Sequence, residues 1–291
     1  MQNRTTSAYL MLISAMLVFG TIGIFRRYIP LSSGLIAFSR GVMGGVFLLV
    51  FIILRHRGFE KISKRQLLLL IISGAVMGLN WILLFEAYNY TTVATATMCY
   101  YMQPTIVILL SPIVLHERLT GKKLLCALAA IVGMVFVSGV AQGAAITSRD
   151  VTGIFCGLGA AIFYASVILL NKLVTVENAY QKTTIQLFAA SATLIPYLLA
   201  TEDWGSIALD ARAIIMVLVI GIVHTGISYA LYFGSMQKLP AQSVAVLSYI
   251  DPVFALLLSA AVLGESLSLL GVLGAVLIIG SAVISEINPK R

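Results

Sequence analysis

Three ionisable side chains interrupt the long apolar runs of this sequence: Arg40, His224 and Asp251. Inside a lipid bilayer such a residue costs at least about 2.5–3.5 kcal/mol on insertion scales, so it normally marks a path for an ion or a polar solute. Other interpretations stay open. Arg40 could snorkel to the membrane surface or pair with Asp251, and a lone histidine is often a hydrogen-bonded structural residue. We predict that all three side chains contact a polar ligand.

A proline directly follows the carboxylate, as Asp251-Pro252, and the dipeptide Gln103-Pro104 stands in an equivalent place earlier in the chain. Proline removes a backbone hydrogen bond from a helix and frees carbonyls in its middle, so Pro104 and Pro252 are predicted helix kinks. Freed carbonyls beside a carboxylate suit a cation, a proton or an ammonium group. Gln103 offers a polar but neutral counterpart.

Aromatic residues near these positions provide the remaining walls of a pocket. Trp81, Tyr101 and Tyr249 lie well inside apolar runs, and each of the two tyrosines stands three residues before a proline. A buried tyrosine hydroxyl requires a hydrogen-bond partner, and its ring face attracts a cation. We therefore add Trp81, Tyr101, Tyr229 and Tyr249 to the candidate ligand-binding residues, together with the amide of Asn80.

Several kinds of chemistry are not expected. The three cysteines, Cys99, Cys126 and Cys156, all lie in apolar runs, and no His, Cys and carboxylate set has metal-ligand spacing. Dinucleotide-binding and phosphate-binding glycine motifs are absent from the sequence. We predict no catalytic residues, no metal and no cofactor. The net charge of +8 comes from basic residues in short loops, so nucleic-acid binding is not expected either.

The composition identifies the fold class. Hydrophobic residues make up 60% of the chain and charged residues only 10%, whereas soluble proteins carry about 25% charged residues. We predict an all-α integral membrane protein with ten transmembrane helices, because apolar runs of about 20 residues recur along the chain. The predicted spans are 8–25, 34–54, 67–87, 93–115, 124–141, 151–170, 184–200, 213–235, 241–263 and 267–285.

The distribution of basic residues predicts the orientation. Fourteen Lys and Arg residues, among them Lys61, Lys122 and Lys182, fall at the N-terminus and in loops on its side of the membrane, and four fall on the other side. Cytoplasmic loops carry the excess of Lys and Arg. Both termini are therefore expected in the cytoplasm.

The two halves of the chain are related. A shift of 148 residues aligns residues 101–119 with 249–267, and nine of these 19 positions are identical, including Tyr101 with Tyr249, Pro104 with Pro252 and Glu117 with Glu265. We predict two repeats, residues 1–145 and 146–291. Each holds five helices, an odd number, so the repeats enter the membrane from opposite sides. Such inverted-topology repeats are typical of alternating-access carriers, although a duplication that only stabilised the bundle is the plainer alternative.

At this point the sequence resembles the drug/metabolite transporter superfamily, specifically its ten-helix members with two EamA-type halves. The resemblance covers essentially the whole chain and rests on a pattern of small, aromatic, proline and glutamate residues. The first half has Phe85, Ala87, Thr92, Ala94, Pro104, Glu117, Gly121 and Gly133, and the second has Phe233, Ser235, Pro240, Gln242, Pro252, Glu265, Gly271 and Gly280. We expect Glu117 and Glu265, in tight turns, to bind N–H groups at the start of the next helix.

This resemblance implies a carrier of the cytoplasmic membrane, an exporter of amino acids or related amine-bearing metabolites. An exporter of drugs or organic cations is the main alternative, and a membrane-embedded enzyme is a distant one. The expected partners are a small-molecule substrate, membrane lipid and, where the cycle is proton-driven, a coupling proton. The protein is expected to act as a monomer.

Overall fold

The computed structural model describes residues 2–26, 28–54, 59–91, 93–138, 147–206, 210–263 and 269–286, and every regular element among them is helical. The helices are α1 (Gln2–Arg26), α2 (Ser33–Leu54), α3 (Lys64–Tyr90), α4 (Val93–Tyr100), α5 (Gln103–Val114), α6 (Gly121–Ser138), α7 (Ser148–Leu173), α8 (Ala179–Thr201), α9 (Ala211–Val219), α10 (Ser228–Met236), α11 (Ala241–Leu247), α12 (Ile250–Leu263) and α13 (Leu269–Glu286). A 3₁₀ turn, Trp204–Ser206, precedes α9, and a π-helix, Ile220–Ile227, joins α9 to α10. Thr92 and Glu265 lie outside the described residues.

The predicted all-α membrane fold is confirmed. In the described part of the chain, six helical stretches are long and apolar enough to cross a membrane, and shorter apolar stretches occupy Thr6–Ile22, Gln103–Val114 and Leu269–Ser281. Large apolar side chains cover the outside of the helices: Ile113 is 72% exposed, Phe155 70% and Leu199 69%. Such an apolar surface is stable in contact with lipid but not in contact with water. Ten remains the predicted number of crossings.

The helices group into two compact units. The first unit comprises Met1–Ile82 and Leu170–Lys238, and the second comprises Leu83–Leu169 and Leu239–Arg291. Each unit therefore combines segments from both halves of the chain. The units do not coincide with the repeats predicted at 1–145 and 146–291, which describe sequence similarity rather than contact.

The fourth and ninth predicted spans are interrupted at equivalent places. Helix α4 ends at Tyr100 and α5 begins at Gln103, while α11 ends at Leu247 and α12 begins at Ile250. Pro104 and Pro252 are the second and third residues of the new helices. Proline is tolerated there because the first turn of a helix has no intrahelical acceptor for its N–H groups.

The seventh span begins earlier than its hydropathy predicts. Helix α8 starts at Ala179, not at 184, because the Asn178 side chain accepts hydrogen bonds from the Tyr180 and Gln181 N–H groups at 3.1 and 3.2 Å. The assignment of Lys182 to a loop was wrong. Lys182 is fully buried in the first turns of α8, and its Nζ donates to the Phe233 carbonyl at 2.8 Å.

Glycines bring the helices of the first unit into close contact. A Cβ on Gly74 would stand 2.4 Å from the Gln186 carbonyl oxygen, and one on Gly78 would stand 2.7 Å from the Ala190 carbonyl oxygen, so α3 packs directly on the α8 backbone. Gly44 of α2 packs against the π-helix in the same way, 2.9 Å from the Gly221 carbonyl oxygen. These glycines therefore allow the helix backbones to approach one another closely.

The second unit packs around the interrupted helices. Tyr249 and Val253 pack with Met134 of α6 and Ile278 of α13 in one buried apolar cluster. Where α6 crosses α13, a Cβ on Gly133 would stand only 2.7 Å from the Gly274 carbonyl oxygen. The break between α11 and α12 is thus held from two sides by well-packed helices.

Candidate functional site

The break between α4 and α5 lies beside the start of α12. The Tyr101 hydroxyl donates to Asp251 Oδ2 at 3.1 Å. Asp251, the second residue of α12, is only partly buried. Its carboxylate has no ion pair among the described residues of its unit, so it retains acceptor capacity for a cationic group.

Tyr249, the repeat counterpart of Tyr101, donates its hydrogen bond back to the first break. Tyr249 is fully buried, and its hydroxyl donates to the Tyr101 carbonyl at 3.0 Å and lies 3.4 Å from Thr105 Oγ1. In an unbroken helix the Tyr101 carbonyl would bond to a residue one turn later. The side chain from the other repeat therefore satisfies a carbonyl that the break has freed. The two tyrosine rings lie 6.5 Å apart between centroids.

Gln103 follows the same break, at the start of α5. It is buried, with 2% of its surface exposed, and its Nε2 has no hydrogen-bond partner among the described residues. A buried amide donor without a partner costs about 1–3 kcal/mol, so the position is suited to a ligand or water oxygen. Together, Tyr101, Gln103, Tyr249 and Asp251 form what we call the tyrosine–aspartate cluster.

Glu117 does not bind the start of the next helix. Its carboxylate accepts hydrogen bonds from the Ala241 and Gln242 N–H groups at 2.8 and 3.4 Å, at the start of α11. The expectation that it binds the N-terminus of α6 is therefore wrong. His116, which directly follows the C-cap residue of α5, has a φ of 55° and lies in the left-handed region. The corresponding expectation for Glu265 concerns a residue outside the described part.

In the first unit, two aromatic rings surround the Arg40 guanidinium. Its Cζ lies 4.7 Å from the Trp81 ring centroid and 5.9 Å from that of Tyr229, whose hydroxyl accepts from Nη2 at 3.1 Å. Nε is buried with no partner among the described residues, and no carboxylate of the described part of the unit pairs with Arg40. We call this arrangement the arginine cage. It positions a cation that keeps free N–H donors, as binding a carboxylate or phosphate requires.

His224 lies on the π-helix, and its ring nitrogens face Thr21 and Val219 rather than the residues of the arginine cage. Its Nε2 is 2.7 Å from Thr21 Oγ1, and its ring packs edge-on against Phe25 at 4.8 Å. The Thr21 hydroxyl also donates to the Val18 carbonyl at 2.7 Å, and His224 Nδ1 lies 3.4 Å from the Val219 carbonyl oxygen. This is the geometry of a hydrogen-bonded structural histidine, while π-helical turns also occur frequently at functional sites.

Asn80 is fully buried beside Trp81 in α3.

Sequence reasoning missed two polar groups on the facing helix α8. Ser191 Oγ and Gln186 Oε1 are buried and have no partner among the described residues, although Gln186 Nε2 donates to Ser73 Oγ at 2.8 Å. A run of small and polar residues in an otherwise apolar α8 was the available signal.

The fold and the two clusters can now be compared with known proteins. The sequence model of the EamA-like transporter family matches residues 6–139 and, a second time, residues 151–286. The chain belongs to the EamA-like transporter family. It is a multi-pass membrane transporter of the drug/metabolite transporter superfamily, as the resemblance of its two halves to EamA-type repeats predicted.

Relatives of this EamA-family transporter carry similar names. "Uncharacterized transporter YxxF" of Bacillus subtilis is 29% identical over 285 residues, which cover 97% of this chain and 90% of that protein. "Uncharacterized inner membrane transporter YicL" of Salmonella typhimurium is 22% identical over 299 residues, covering 99% and 97%. A crystal structure with 21% sequence identity has a TM-score of 0.84 and covers 96% of this chain and 97% of its own, which supports the fold.

The predicted site residues thus fall into separate groups. Arg40, Trp81 and Tyr229 come together in the first unit, which also contains Asn80 and His224. Tyr101, Tyr249 and Asp251 come together in the second unit, where Gln103 begins α5, and Pro104 and Pro252 lie at the two helix breaks. Their contact with a substrate stays a prediction, and pairing between Arg40 and Asp251, which belong to different units, stays the alternative to it.

Proposed function

We propose that this EamA-family transporter exports amino acids or related amine-bearing metabolites across the cytoplasmic membrane by alternating access. The observation that carries the proposal is the arginine cage. Its guanidinium is held by aromatic rings and has no carboxylate partner among the described residues of its unit. A free substrate carboxylate forms strong, charge-assisted hydrogen bonds with such a group.

Asp251 supports the amine part of the proposal. Its carboxylate receives one hydroxyl hydrogen bond, from Tyr101, and has no ion pair among the described residues of its unit. The Tyr101 and Tyr249 rings lie close by. A carboxylate beside aromatic rings is suited to an ammonium group, and a carboxylate in a membrane interior also serves as a proton carrier.

An exporter of organic cations is the second candidate, because the same tyrosines would hold a cation that has no carboxylate. The two candidates differ in their need for Arg40. An amino-acid carrier requires its guanidinium for binding, whereas a carrier of quaternary amines does not.

The test is a binding screen of the purified protein against amino acids, polyamines and quaternary amines, by thermal shift and then calorimetry. For an amino acid that binds, its amide, which lacks the carboxylate, should bind more weakly to the wild-type protein. Arg40→Gln should weaken amino-acid binding about 10- to 100-fold, as expected for loss of a charge-assisted hydrogen bond worth about 1.5–3 kcal/mol, and should leave amide binding unchanged.

Arg212→Gln is the matched control. Arg212 also stacks on an aromatic ring, 4.0 Å from the centroid of Tyr28, but both residues are exposed. Its substitution should change neither affinity. Equal binding of an amino acid and its amide to the wild-type protein would exclude a role for Arg40 in carboxylate recognition. Quaternary-amine binding that persists in Arg40→Gln would then favour the second candidate.

Asp251→Asn distinguishes the roles open to the carboxylate. If Asp251 carries a coupling proton, the variant should lose pH-driven uptake in proteoliposomes and keep substrate binding and exchange. If it holds the ammonium group, binding itself should weaken, and an N-acetylated analogue should be affected less. If Asp251 only pairs with Arg40, the single substitution should reduce stability and transport, and the double variant Asp251→Asn with Arg40→Gln should restore both. That result would exclude Asp251 from the substrate site.

The proposal includes an orientation and an oligomeric state. Both termini face the cytoplasm and the protein acts as a monomer, as the excess of loop Lys and Arg residues and the presence of both repeats in one chain support. A cysteine at exposed position Lys61, in a variant lacking Cys99, Cys126 and Cys156, should react with a membrane-impermeant maleimide only after cells are opened. Labelling in intact cells would show that the protein has the opposite orientation.

A further inference from the structure

The first unit contains a cavity of about 680 Å³, bordered by α1, α2, α10 and the segment leading into α8. We call it the lower cavity. The aromatic residues Phe47, Phe51 and Tyr180 form one wall, and the carboxylate residues Glu60 and Glu177 also border it. Its volume lies within the usual range for small-molecule sites, about 300–1,000 Å³. None of the predicted site residues is among its described lining residues.

The aromatic wall is continuous. The Phe47 and Phe51 rings are stacked at 6.4 Å between centroids, and Phe51 meets the Tyr180 ring at 5.0 Å. Apolar side chains such as Met11 and Leu231 complete the lining. Aromatic faces attract an organic cation while the apolar remainder accepts its hydrocarbon body. The wall is therefore suited to a ligand that is both apolar and positively charged.

The acidic edge of the cavity is fixed by backbone hydrogen bonds. The buried Gln181 side chain accepts from the Glu60 N–H at 2.9 Å and donates to the Glu60 carbonyl at 3.1 Å. Asn178, which follows Glu177 directly, is tied to the first turn of α8 at 3.1 Å. Neither glutamate forms an ion pair with a described residue of the unit, so both carboxylates are available to a cationic ligand.

We propose that the lower cavity binds an amphiphilic monovalent organic amine, with its apolar body against the aromatic wall and its ammonium group at Glu60 and Glu177. The cavity's described lining residues are different from those of the arginine cage and the tyrosine–aspartate cluster. In the proposed orientation it faces the cytoplasmic side, because it is bordered by the links that precede α3 and α8. An exporter would meet amphiphilic amines there before they reach the residues of the transport path.

The test uses benzyltrimethylammonium as the cationic probe and its neutral isostere neopentylbenzene, with calorimetry on the protein in lipid nanodiscs. The combined variant Glu60→Gln and Glu177→Gln should weaken binding of the cation about five- to tenfold, as expected for two exposed charge interactions, and should not affect the neutral probe. Phe51→Ala should weaken binding of both probes. Both glutamates are exposed, so their substitution should not impair folding.

Glu202→Gln is the matched control, because Glu202 follows the C-terminus of α8 whereas Glu177 precedes its N-terminus. Glutamine keeps an acceptor for the Ser32 hydroxyl that Glu202 binds. The control should bind the cation like the wild-type protein. The inference is overturned if the neutral probe binds as tightly as the cation or if Asp251→Asn alone abolishes binding of the cation.

Discussion

Replacement of Gly74 by alanine should destabilise the protein, because α3 touches the backbone of α8 at this residue. The new Cβ would lie 2.4 Å from the Gln186 carbonyl oxygen and 2.6 Å from the Ala189 Cβ, whereas ordinary contacts begin at 3.4 Å. The two helices must therefore separate by about 1 Å. The obstructing atoms are backbone oxygen and Cβ, which no rotamer change can move aside.

The expected free-energy change combines two opposite effects. Overpacking of a tight interface typically costs about 1–3 kcal/mol, while alanine is favoured over glycine inside a helix by about 0.5–1 kcal/mol. Gly74→Ala should therefore lose about 1–2 kcal/mol of unfolding free energy. Gly280→Ala, in α13, isolates the second effect because nothing lies within 4 Å of its added Cβ, and it should be neutral or slightly stabilising.

Reversible unfolding in mixed dodecylmaltoside and dodecyl sulfate micelles measures both variants under one set of conditions. Trp81 lies two helical turns beyond Gly74, so displacement of α3 should also widen the arginine cage and weaken substrate binding. Equal unfolding free energies for Gly74→Ala and Gly280→Ala would refute the close α3–α8 packing and the positioning of Trp81 that depends on it.

Two further predictions concern the second unit. Glu117→Gln removes the negative charge that binds the Ala241 N–H, so the variant should lose about 0.5–2 kcal/mol of unfolding free energy. An unchanged unfolding free energy would contradict the role of Glu117 as a cap of α11. Tyr249→Phe removes the hydroxyl that satisfies the Tyr101 carbonyl, so it should cost about 1–3 kcal/mol, while Tyr28→Phe at an exposed position should change nothing. Equal losses from the two tyrosine substitutions, measured by the same unfolding assay, would show that the buried bond contributes no stability.

Local sequence patterns predicted kinks in two helices but not the interruptions that the structure shows. Tyr-x-x-Pro at 101–104 and 249–252 indicated kinks, since proline acts on the turn that precedes it. The structure replaces each kink by a complete interruption. The Tyr249 hydroxyl makes an interruption tolerable because it supplies the Tyr101 carbonyl with a donor from the turn between α11 and α12. Sequence spacing within one helix holds no information about that donor.

Lys182 and Glu117 show where charge patterns fail. A lysine near the end of an apolar run was assigned to a loop, yet Lys182 is buried, and the Phe233 carbonyl near the C-terminus of α10 accepts its hydrogen bond. Glu117 was assigned to the nearest helix start in the sequence, yet it binds the N-terminus of α11, more than 120 positions further along the chain. Both errors have one cause: helix ends are satisfied by whatever group is nearest in space.

The sequence by itself determined the membrane fold, the family and the identity of the ionisable residues within the spans, because each follows from composition, spacing and internal similarity. Only the tertiary structure decided which of these residues meet. Arg40 lies between Trp81 and Tyr229, and Asp251 receives the hydroxyl of Tyr101, through helices that are distant in sequence. Such contacts depend on the packing of glycine-lined helix faces, to sub-ångström tolerance, and no one-dimensional pattern specifies which faces come together.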